Sequence, residues 1–107
     1  MTKHFTDDNF EAEVIARSNS VPVLVDFFAA WCGPCRLQGP IIDEVAGLIG
    51  EKAAVGKLDT EESGQTAVKY GVMSIPNLMI FRNGKVVENL VGLQTKESLV
   101  DALKKHI

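Results

Sequence analysis

The stretch "VPVLVDFF", residues 21 to 28, limits the possible folds more than any other. Successive side chains of a strand point to opposite faces, and here both alternating sets are apolar, with Asp26 the one exception. Such a strand is buried on both sides, so helices must cover the sheet above and below. A chain of 107 residues suits one domain, taken here as residues 1–107. At that size about two thirds of the unfolded surface can be buried, so neither a disulfide nor a metal is needed for folding.

The rest of the chain supplies the helices. Thr6, Asp7 and Asp8 offer N-cap oxygens to a helix running to about Arg17, with Phe10, Val14 and Ile15 inward. A long helix spans about Cys32 to Ile49, where Leu37, Ile41, Val45 and Leu48 recur at helical spacing. Pro40 kinks it, helped by Gly39. "AAVGKLD" is a second core strand, and "SGQTAVKYG" a short helix closed by Gly71. "NLMIFRNGKVVENLV" is a hairpin turning at Asn83-Gly84. Thr95 caps a last helix that buries Leu99, Val100 and Leu103, and Lys3 to Phe5 adds a first strand. Strand–helix–strand units pair in parallel and the hairpin antiparallel. The expected fold is α/β: a mixed sheet of about five strands with about four helices on its two faces. Sites in such sheets lie beyond the carboxyl ends of the strands, where Trp31 to Cys35 falls.

Charge and hydropathy exclude several functions. The net charge of −3 gives no basic footprint for nucleic acid. No apolar run reaches the ~18 residues of a membrane span, because Asp26 interrupts the best one. The opening "MTKHFTDDNFEAEV" has no apolar signal core, so a cytoplasmic location is expected. Thiols stay mostly reduced there, and a cysteine pair is more often catalytic than structural.

Both cysteines of the chain, Cys32 and Cys35, lie in the first turn of the long helix. Residues three apart share a helix face, so the sulfurs can meet. The positive end of the helix favours a Cys32 thiolate by at most ~2 kcal/mol. The second thiol contributes more. Once Cys32 has attacked a substrate disulfide, Cys35 is in place to attack the mixed disulfide intramolecularly. A zinc site is disfavoured, since zinc takes four ligands and the only histidines, His4 and His106, lie near the chain ends. A purely structural disulfide would close too short a loop to stabilise much. Asp26, in a strand buried on both faces, is expected to have a pKa above the ordinary ~3.9 and to serve as a general base for Cys35.

Trp31-Cys32-Gly33-Pro34-Cys35 is similar to the active-site sequence of the thioredoxin family. The resemblance covers essentially the whole chain, through "VLVDFFAAWCGPCR", "GKLDTEESGQTAVKYGV", "SIPNLMIFRNGKVVENLVG" and the last helix. It implies the thioredoxin fold and protein-disulfide reductase activity resting on a redox-active Cys32–Cys35 disulfide. By the same resemblance Cys32 is the nucleophile and Cys35 the resolving thiol, and Gly33 and Pro34 set the loop and its redox poise. Trp31 flanks and shields the site. Asp26 lies behind Cys35, with Lys57 near it and biasing its charge. Pro76 follows a cis bond, and Ser74, Ile75 and Gly92 line the groove for the substrate chain.

The resemblance further implies a monomer without bound cofactor or metal. It would receive electrons from a thioredoxin reductase that uses flavin and NADPH, and pass them to disulfides of clients such as reductases and peroxidases, maintaining cell redox homeostasis. The chain departs from the usual pattern at Phe28, Ala30, Met73, Asn77 and Leu93; Met73 and Leu93 make the substrate face more apolar. Two rival readings remain: an oxidase or isomerase of the same fold, and a non-catalytic partner subunit.

Overall fold

A computed structural model of the protein describes residues 2–107. Five strands form one sheet in the order β1-β3-β2-β4-β5, comprising β1 (Lys3–Phe5), β2 (Val23–Phe28), β3 (Ala54–Asp59), β4 (Asn77–Arg82) and β5 (Lys85–Val91). β3 runs parallel to β1 and β2, while β4 runs antiparallel to β2 and β5. The mixed sheet is the expected one. The β4–β5 turn places Asn83 and Gly84 at φ of 56° and 78°, the positive values a tight hairpin turn requires.

β2 occupies the centre, and its two faces meet two separate cores. Leu24 points toward α1 (Gly33–Ile49) and α3 (Lys96–Lys104), among Ile42, Val45, Leu78, Ile80 and Leu99. Val23, Val25 and Phe27 point the other way, among Phe5, Phe10, Val14, Leu58 and Phe81. Phe10, Tyr70 and Phe81 pack there with ring centroids 5.2–5.5 Å apart. Each fully buried aliphatic or aromatic side chain contributes roughly 1.5–3 kcal/mol, so both faces of β2 hold the sheet to its helices. β1 needs Gly56 as its neighbour: a Cβ there would lie 2.5 Å from the Phe5 ring and 2.8 Å from the Lys3 carbonyl.

Three local expectations are corrected. The N-terminal helical segment is wound as a π-helix over Glu11–Ala16 and a 3₁₀ turn over Arg17–Asn19, with Phe10 and Val14 buried as expected. Of its proposed caps, Thr6 accepts from the Asn9 N–H at 3.2 Å, but Asp7 serves a different helix. Its carboxylate accepts from the Thr66 N–H at 2.9 Å and hydroxyl at 2.7 Å, at the start of α2 (Gly64–Lys69). Asp7 is close enough to do so because β1 lays its end beside the loop after β3.

The third correction concerns α1. Leu37 and Leu48 are 63% and 65% exposed, and the inward row is Cys35, Gln38, Ile42, Val45 and Ile49. Val45 is buried and Ile41 packs against the core as expected, but Gln38, a polar residue, occupies a core position that the apolar pattern did not mark. Elsewhere the elements match. Gly71 closes α2 at φ 67°, the Thr95 hydroxyl accepts from the Ser98 N–H at 3.0 Å, and Leu99 and Leu103 are buried with Val100 packed beside them.

Candidate active site

β2 ends at Phe28, and five residues later α1 begins at Gly33, so the chain delivers Cys32 to the carboxyl end of the sheet. Cys32 is the N-cap of α1 in extended conformation, and Pro34 stands in the first turn, where its missing N–H leaves no bond unmade. Cys32 and Cys35 form a disulfide with their Cα atoms 5.3 Å apart. The Cys35 N–H points at the Cys32 sulfur at 3.3 Å, so an amide at the positive helix end faces that sulfur. The other side of the same sulfur lies 3.8 Å from the Ile75 carbonyl oxygen. An added Cβ at Gly33 would meet nothing within 4 Å, so no steric demand fixes glycine there.

The segment carrying Ile75 reaches the cysteines from across the sheet. Ile75-Pro76 is a cis peptide bond, as expected, and it leads into β4. Ile75, Phe28 and Ala29 pack with the two cysteines. Ser74 and Met73 are exposed, Met73 at 94%. Gly92 lies alongside, its N–H donating to the Pro76 carbonyl at 2.8 Å, and its φ of 91° favours glycine. Trp31 is 67% exposed; it stands at the rim beside Cys32 without closing over it. Asn77 is buried, and its Oδ1 has no partner among the described residues.

Asp26 lies beneath. It is 1% exposed, and neither carboxyl oxygen has a hydrogen-bond partner among the described residues. Burial pushes its pKa up to about 7; the Lys57 charge opposes the shift and the Asp43 charge adds to it. A pocket of about 220 Å³ is lined by both Asp26 and Cys35, with Phe28 and Lys57 among its other walls. That volume has room for water between carboxyl and sulfur. Lys57 pairs with Asp26 in the β2–β3 register, but its ammonium is engaged elsewhere, 3.1 Å from Asp43 Oδ1. Asp43 also accepts from the Thr2 hydroxyl at 2.7 Å. Lys57 is therefore near Asp26 as expected, yet held by a second acid that sequence reasoning did not single out.

A disulfide at the first turn of a helix, at the carboxyl end of a mixed sheet, with a buried acid on the same pocket, defines a protein built for dithiol–disulfide exchange. Comparison with known proteins gives the family. The thioredoxin family model matches residues 1–105. Thioredoxin 1 of Synechococcus elongatus is 45% identical over 102 residues, which are 95% of this chain and 94% of that one. Thioredoxin 2 of Chlorobaculum tepidum is 47% identical over 102 residues, covering 95% and 92%. The chloroplastic M-type thioredoxin of Chlamydomonas reinhardtii is 45% identical over 101 residues, 94% of this chain and 71% of that one. The chain belongs to the thioredoxin family. It is a thiol–disulfide oxidoreductase with a redox-active cysteine pair, a reductase of protein disulfides. No helix among the described residues is long and apolar enough to cross a membrane.

Proposed function

We propose that residues 1–107 act as one monomeric thioredoxin domain in which Cys32 attacks and Cys35 resolves. The observation that carries this assignment is the Cys35 amide aimed at the Cys32 sulfur at 3.3 Å. In the reduced protein that amide and the helix end stabilise a Cys32 thiolate. The thiolate attacks one sulfur of a client disulfide, forming a mixed disulfide and releasing the first client thiolate. Cys35 then gives its proton to Asp26, directly or through water in the shared pocket, and attacks Cys32 Sγ. The Cys32–Cys35 disulfide forms and the second client thiolate leaves, so two electrons have passed to the client.

Ser74, the Ile75 backbone, Pro76 and Gly92 form the groove for the client chain, supported by the nearness of the Ile75 carbonyl to the Cys32 sulfur and by the Gly92–Pro76 hydrogen bond. A free carbonyl pairs with any main chain, which permits many clients. Trp31 flanks this groove, and Gly33 and Pro34 set the redox poise of the pair. Lys57 moderates the charge of Asp26. The protein returns to the dithiol form through a thioredoxin reductase using flavin and NADPH. It works in the cytoplasm on clients such as reductases and peroxidases, and so helps maintain cell redox homeostasis.

Trapping tests the assignment. Cys35→Ser leaves an attacking thiol without a resolving one, so covalent adducts with clients accumulate on non-reducing gels, whereas Cys32→Ser traps none. Equal trapping by the two variants refutes it.

A further inference from the structure

We infer that Gln38 is a positioning residue for client binding, holding the Gly92–Gln94 segment against the active-site helix. The inference rests on the reading that Gly92 forms part of the client groove. Gln38 sits one helical turn after Cys35 on the same face of α1, fully buried. A glutamine in a core costs stability unless its amide is satisfied. Here both ends are satisfied by one backbone unit. Gln38 Nε2 donates to the Gln94 carbonyl at 3.1 Å, and Gln38 Oε1 accepts from the Gln94 N–H at 2.7 Å.

This two-point clamp grips a segment that has no regular structure of its own, between β5 and α3. From Gln94 the restraint continues toward the groove. The Gln94 side-chain amide donates to the Gly92 carbonyl at 3.2 Å, and the Gly92 N–H donates to Pro76. A chain of hydrogen bonds thus runs from the helix bearing Cys35 through Gln38 and Gln94 to Gly92, and ends on the cis-proline beside Ile75. Leu93, 48% exposed, is carried between the two anchored residues. With the clamp in place, the wall of the groove is set before a client arrives, and less ordering entropy is lost on binding. An apolar residue at position 38 would fill the core equally well but leave the segment to find its own conformation.

The consequence is selective. A client chain needs the groove, whereas a small disulfide needs only the sulfurs. Pre-reduced Gln38→Leu is reacted with insulin over a concentration range and, separately, with hydroxyethyl disulfide. The half-saturating insulin concentration should rise about fivefold, the factor corresponding to one net hydrogen bond of about 1 kcal/mol. The limiting rate with insulin and the rate with the small disulfide should stay within about twofold of the parent. Equal slowing with both disulfides, or unchanged insulin saturation, overturns the inference. Gln94→Ala keeps the clamp but removes the link to Gly92; it should shift insulin saturation in the same direction, and it carries the test if Gln38→Leu does not fold. Gly92→Asp separates the two readings. If it weakens insulin binding while Gln38→Leu and Gln94→Ala do not, the positioning role alone fails; if it too leaves insulin unaffected, the groove reading fails and this inference with it.

Discussion

Asp7 and Asp26 are the same residue type in opposite circumstances. Asp7 accepts three hydrogen bonds at the start of α2, from the Gln65 and Thr66 amides and the Thr66 hydroxyl, and its pKa falls below the ordinary carboxylate value, with the Thr66 hydroxyl the leading cause. Asp26 accepts none among the described residues, and burial lifts its pKa to about 7. The difference is one of protonation and stability. A satisfied carboxylate holds two segments together and stays charged. An unsatisfied one weakens the fold when charged, and its proton is free to move near neutral pH, where the sulfur chemistry runs.

The largest expected effect comes from removing Asp26. Between its unfolded pKa of 3.8 and its folded value of about 7, the native state binds more protons than the unfolded chain, so stability falls with rising pH and stays low above that window. The charged form then costs the fold about 4 kcal/mol at pH 8. Asp26→Ala should accordingly be about 3–4 kcal/mol more stable than the parent at pH 8 in urea unfolding, with the gain smaller by about 2–3 kcal/mol at pH 5. The same variant should reduce disulfides about tenfold more slowly or worse. A destabilised, pH-independent variant with full activity would show that Asp26 is no buried base.

Asp7→Ala should act with the opposite sign and a smaller size. A lowered folded pKa gives stability that is present above the unfolded value and is lost as pH falls through the folded one. The variant should unfold at lower urea than the parent at pH 7, and the two should converge in acid. A variant as stable as the parent at neutral pH would remove Asp7 from the cap of α2.

The smallest effect is at Lys57, whose charge opposes the shift of Asp26. Lys57→Met should raise the Asp26 pKa further, read as the pH midpoint of the Asp26-dependent stability change or of a carboxyl carbon NMR titration. A midpoint that moves down would mean Lys57 acts on Asp26 mainly through Asp43.

The fold was legible in the sequence wherever a side-chain pattern admits one answer. The two apolar sets in β2, the Asn83-Gly84 turn and the Thr95 cap each have a local cause. The inward face of α1 was only partly legible: Val45 and Ile41 marked it, but Leu37 and Leu48 offered apolar positions that turn out to face solvent. The row of Cys35, Gln38, Ile42, Val45 and Ile49 keeps three-and-four spacing throughout, but its polar member hides it. What redeems Gln38 is a backbone unit 56 positions along the chain, which no local pattern reveals. Asp7 was misassigned for the same reason: its partners arrive through β1 pairing with β3. The burial of Asp26 followed from its strand, whereas the Asp43–Lys57 pair depends on how α1 lies over β3.

The 5.3 Å between the Cα atoms of Cys32 and Cys35 lies within the ordinary range for a disulfide. Cys32 as N-cap and Cys35 in the first turn place both sulfurs at the start of α1, at one end of the sheet. Electrons enter and leave through this one pair of sulfurs, so a donor and an acceptor must take turns at the same place rather than bind side by side.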